Sequence, residues 1–197
     1  MSEYTAIADV GETLIRLLRD NMSDLIPPDS IVLLSPADVE GQNIRLTLFL
    51  YSVVENPHLK NQEMHEISPT QLRYPPLTLD LQYLLTTYAS TVIPDRTERT
   101  LEEHRILGRA MRIFYDNAIL SGSVLQGGLA GTDEELRITL NPVSLEDLTK
   151  LWTAFPNRSY RASVGYLVTP VRIDSIREMG MQRVISKEMN HAYMIPK

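Results

Sequence analysis

Two prolines, Pro75 and Pro76, lead into the stretch LTLDLQYLLTTYA over residues 77–89. Leu77, Leu79, Leu81, Tyr83 and Leu85 alternate with Thr78, Asp80 and Gln82. That is the period of a strand with one face on a core. The alternation then fails, because Leu84 and Tyr88 put apolar bulk on the polar side. A strand that is apolar on both faces needs cover on both. Either this chain closes over that end, or another chain does. The stretch QNIRLTLFLYSVVEN, residues 42–56, behaves the same way. Ile44, Leu46, Leu48, Leu50 and Val54 share one face, and Arg45, Thr47, Phe49, Tyr51 and Val53 the other. Two such strands demand a layered fold around a sheet.

The elements around them follow from spacing and caps. Tyr4, Ile7, Gly11, Leu14, Ile15, Leu18 and Met22 predict an amphipathic helix over 4–22. The run Ile31 to Leu34 predicts a short buried strand. Residues 56–76 read as a long polar connection. A helix follows within 95–118, and the capping-box spacing of Thr100 and Glu103 sets its start near Leu101. Leu101, His104, Leu107, Gly108, Met111, Phe114, Tyr115 and Ala118 form its expected apolar face. Arg105, Arg109 and Arg112 lie in a charged stripe away from it, with Ile106 and Ile113 beside them as a second apolar patch. Residues 121–140 predict a hairpin around a Gly-rich turn. Ser144 and Asp147 cap a short helix that Pro156 stops, and residues 159–169 alternate as the last strand.

Beyond Val171 the pattern blurs, in a tail holding Met179, Met181, Met189 and Met194. The expected class is therefore α+β, a mixed, largely antiparallel sheet packed with helices. A domain over residues 1–170 is followed by an extension or arm over 171–197.

Composition narrows the function. With 19 Lys and Arg against 25 Asp and Glu, the net charge is −6, which argues against a nucleic-acid binder held by phosphate neutralisation. The chain has no cysteine, so thiolate metal sites and disulfides are excluded. The N-terminal segment lacks the basic start of a signal peptide, and no apolar run reaches 18 residues. The expectation is a cytoplasmic protein without direct membrane insertion.

No catalytic constellation emerges, and no cofactor is expected. His58 and His65 share a polar loop without a metal-ligand spacing. His104 reads as a packed side chain and His191 carries no legible role. The segment GGLAGT, residues 127–132, lacks the Gly-Lys-Ser/Thr ending of a phosphate loop and leads into a strand, so a turn is the better reading. No nucleophile elbow is present. What remains are candidates for contact with a partner: Asp80, the group Arg105, Ile106, Arg109, Arg112 and Ile113, and the tail residues Met179, Met181 and Met189.

Four segments, LTLDLQYLLTTYA (77–89), EEHRILGRAMRIFYDN (102–117), ELRITLNPVSLEDLTKLW (135–152) and YRASVGYLVTPVRID (160–174), together resemble the cap or tail-terminator proteins of extracellular contractile injection systems. These are phage-tail-like particles of the antifeeding-prophage and virulence-cassette type. The resemblance implies the α+β fold of phage tail terminators and no enzymatic activity. It also implies a hexameric ring that ends the inner tube and contractile sheath, with the tube and sheath proteins as partners and assembly into the particle. Strand addition would satisfy the last unpaired sheath arms. An alternative is an accessory terminal adaptor that connects the particle to a membrane or another partner. A third, a small metal-dependent enzyme using the 56–76 loop, would need His58 and His65 as ligands.

Overall fold

The structure is a computed structural model, and it describes residues 4–39 and 43–180. Three helices run over Ala6–Met22 (α1), Arg96–Asp116 (α2) and Leu145–Thr153 (α3). Six strands form one sheet: β1 (Ile31–Leu33), β2 (Leu46–Glu55), β5 (Leu77–Thr87), β6 (Ile119–Ser121), β7 (Glu135–Asn141) and β8 (Ser163–Ile173). Their order is β1-β2-β5-β8-β7-β6, parallel between β1 and β2 and antiparallel elsewhere. The α+β class with a mixed, largely antiparallel sheet is as the sequence predicted.

α1 and α2 lie on one face of this sheet. Val10, Leu14 and Leu18 of α1 and Ile106, Ala110 and Phe114 of α2 are fully or almost fully buried against Leu46, Leu81, Tyr83 and Val168. Phe114 meets Tyr166 edge-on at 4.8 Å between ring centroids. The opposite face carries its own cluster, in which Leu84 sits under Leu148, Trp152 and Phe155, with Phe49 and Tyr51 at its border. Phe155 packs edge-on against both Phe49 (5.8 Å) and Trp152 (5.4 Å). So β2 and β5 turn apolar on both faces because α3 covers the second face at that end.

α3 begins as its spacing predicts: the Ser144 hydroxyl accepts from the Asp147 N–H at 3.1 Å and donates to the Asp147 carboxylate at 2.7 Å. α2 does not. Its cap is Asp95, which accepts from the Glu98 N–H at 2.7 Å, so the helix opens at Arg96, before the Thr100 box. Thr100 instead donates to the Arg96 carbonyl within the first turn. The buried arc also differs from the predicted one. Ile106 and Ile113 are core, at 0% and 5% exposure, whereas Leu101, His104 and Tyr115 are exposed.

The 56–76 connection is not irregular throughout. His65–Ser68 (β3) and Gln71–Arg73 (β4) form a hairpin, and Glu178–Gly180 (β9) adds to it as a third strand. β8 runs on to Ile173, past the point where the sequence pattern blurs. The predicted hairpin within 121–140 exists, but its first strand lies upstream, at Ile119–Ser121.

Candidate assembly interface

The Gly-rich loop is spent inside the fold. Gly127 adopts φ +58, and a Cβ there would fall 2.1 Å from the Asp9 carboxylate of α1. Asp9 accepts from the Gly128 N–H at 3.2 Å and from the Thr5 hydroxyl at 2.8 Å. Thr13 bonds the next residue back, accepting from the Gln126 N–H at 3.0 Å. The loop thus serves a buried carboxylate rather than an external phosphate. His58 lies within a turn held by the Asn56 side chain, which accepts from its N–H, whereas His65 opens β3 opposite Arg73. Among the described residues, no three His, Asp or Glu side chains are grouped to hold a metal, and no helix is long and apolar enough to cross a membrane.

The predicted contact residues separate. Asp80 turns inward to an internal network, accepting from Asn56 Nδ2 at 2.8 Å and the Thr169 hydroxyl at 2.5 Å. Ile106 and Ile113 face the core, because the apolar arc that contains them is the one packed on the sheet, so neither offers an outward patch. Arg109 ties α2 to the end of α1 through the Asn21 carbonyl at 3.2 Å and Asp24 at 3.4 Å. Arg105 and Arg112 remain exposed beside them. Met179 sits in β9, opposite Leu72, and is 43% exposed. Met181 and Met189 lie outside the described residues.

What the sequence reading missed is a pair of incomplete sheet edges. β1 covers only Leu46–Leu48 of β2. From Phe49 to Glu55 the outer side of β2 has no strand beside it among the described residues, and Val53 and Val54 there are 43% and 42% exposed. The stretch carries no lysine, arginine or proline to discourage pairing. Next to it lies a groove of about 620 Å³ between α1 and the β1–β2 edge, lined by Tyr4, Leu33 and Leu50. At the other edge β6 is only three residues long, its Ile119 is 57% exposed, and its outer side has no strand beside it among the described residues. A second groove, of about 550 Å³, lies between the C-terminal half of α2 and β7, lined by Met111, Tyr115 and Leu140. Its floor is Tyr166, whose hydroxyl pKa burial pushes up to about 12. The sequence signal for both edges was the same: apolar residues in excess of what α1, α2 and α3 can cover.

A polar cluster closes the end of the sheet. Buried Arg45 donates from Nε to the Tyr88 carbonyl at 3.0 Å and pairs with Glu102. Glu103 accepts from Arg161 at 2.7 Å and from the Ala89 N–H at 3.0 Å. The Arg161 guanidinium stacks over the Tyr88 ring at 5.0 Å. This arrangement fixes geometry and offers no reacting pair.

Two solved structures share the fold. One is the PVC sheath/tube terminator, in its extended state, of an extracellular contractile injection system. It matches at a TM-score of 0.64 and 20% identity over 100% of this chain and 67% of that one. The other is the cap of the anti-feeding prophage, a tube terminating cap, at 0.63 and 20% over 93% and 61%. This chain therefore spans about two-thirds of the length of either protein. No curated protein matches it. The Pvc16 N-terminal domain family matches residues 9–187, an interval containing all four segments on which the terminator resemblance was read. The chain belongs to that family.

Proposed function

We propose that this protein is a structural cap: a homo-hexameric ring that terminates the inner tube and contractile sheath of a phage-tail-like injection particle. The observation that carries this reading is the fold shared, over 100% and 93% of the chain, with a sheath/tube terminator and a tube terminating cap. The open edges support it. A closed ring needs two different surfaces on each subunit, and this sheet has two different incomplete edges. The small β3–β4–β9 sheet supplies further exposed edges, at which a sheath arm would dock by strand addition. Assembly takes place in the cytoplasm, and the ring leaves with the particle.

Electron microscopy of particles from cells lacking the gene tests this. Tubes of uncontrolled length, or tubes stripped of sheath, are expected. Particles of normal length with an intact end would overturn the terminator role.

A further inference from the structure

The two open edges match each other. The residues Val53, Leu81, Val168 and Ile138 stand in one row across β2, β5, β8 and β7. Ile138 points its N–H outward, where it donates to the Ala118 carbonyl at 2.8 Å. In antiparallel pairing, main-chain groups alternate between hydrogen-bonded and non-bonded rows from one gap to the next. Three gaps separate Ile138 from Val53, so Val53 also points its N–H and C=O outward, at the open edge. Ala118, the residue before β6, faces inward to Ile138, which leaves Ile119 and Ser121 facing outward.

The open part of β2 and the open side of β6 thus lie at the same height in the sheet. They also run in the same direction, since β2, β8 and β6 are mutually parallel through their antiparallel partners. β1 covers the opposite end of β2 and does not stand in the way.

We propose that neighbouring copies of this chain fuse their sheets, the free half of β2 in one copy pairing in parallel with β6 of the next. The C=O of Val53 accepts from the N–H of Ile119. The N–H of Glu55 donates to the C=O of Ile119, and the C=O of Glu55 accepts from the N–H of Ser121. Val54 and Ile119, both exposed, fall opposite each other on the face that carries Asp80, Thr169 and Arg137. The contact joins unlike edges in a head-to-tail sense, so it repeats around a closed ring instead of stopping at a pair. It rests on the ring reading above and states how that ring is closed.

The chain has no cysteine, so two single variants report directly. Facing residues on adjacent strands fall within disulfide reach. Val54→Cys mixed with Ile119→Cys under mild oxidation is expected to give covalent dimers, and the double variant a ladder ending at six copies. Both sites are exposed, and native mass confirms that the variants still assemble. A six-copy ring by native mass without this cross-link overturns the joint and leaves the ring standing. Val54→Cys dimers without Ile119→Cys mean that β2 pairs with its own copy, which also overturns the joint. Single copies at every concentration overturn the ring and the joint together. An independent reading is amide exchange in the unsubstituted chain: the Glu55 and Ser121 amides slow on assembly if the ladder forms, and are unchanged if it does not.

Discussion

Leu84 is the residue on which the second face of the sheet depends, and Leu84→Ala measures that dependence. Its side chain has no exposed surface and lies beneath Leu148, Trp152 and Phe155. The substitution removes roughly three methylene equivalents, about 2.4 kcal/mol at ~0.8 kcal/mol each. The space left beneath two aromatic rings collapses only in part, and this raises the loss to about 3–4 kcal/mol. For a chain of this length that corresponds to roughly a 10 °C fall in Tm. The chain's one tryptophan is in this cluster, so urea unfolding followed by Trp152 fluorescence reads both stability and local packing. Leu145→Ala, on the covering helix α3 but 69% exposed, serves as the control, with a change within about 0.5 kcal/mol. A Leu84→Ala loss below about 1 kcal/mol with unchanged Trp152 emission would refute the packing of α3 on β5.

Three further outcomes follow from the geometry. Gly127→Ala costs about 2 kcal/mol or more in chemical denaturation, because φ +58 strains a side chain and the new methyl displaces Asp9 from its two donors; a neutral result would unseat the loop–helix lock. Asp95→Ala costs about 1 kcal/mol by the same measurement whereas Thr100→Ala costs a few tenths, and the reverse order would restore the cap at Thr100. Burial raises the pKa of Tyr166 to about 12 and that of Tyr83 as well, so the stability tied to their neutral hydroxyls is complete below pH 10 and is lost as the pH rises from 10 through 12; the tyrosinate absorbance should show these two lagging the exposed tyrosines, and Tyr166→Phe should flatten the alkaline loss.

The main strands were legible because β2 and β5 carry long period-two patterns, and α3 because its cap and its proline stop agree. α2 was misphased for a physical reason. Its surface holds more apolar residues than its core contact uses, since Met111 and Tyr115 line a groove while Ile106 and Ile113 reach the sheet. Period alone cannot say which of two apolar arcs is the core one. The β3–β4–β9 sheet was illegible because its strands are three or four residues long and mostly polar. Its stability comes from contacts remote in sequence, such as Arg73 with Glu178 at 2.9 Å and Arg177 over the Tyr74 ring at 4.1 Å. As for the candidate interface, the excess of apolar surface could be read, but which edge it served could not. That depended on β1 ending at Leu33 and β6 at Ser121.

The sheet divides the interior into two apolar clusters that share no buried side chain. A substitution under α3 is therefore felt beneath α1 and α2 only through the backbone between them, and effects on the two sides should be close to additive. In evolutionary terms the partition decouples two histories. Residues on one side can drift and compensate among themselves while the other side, and the strand edges between them, hold their shape.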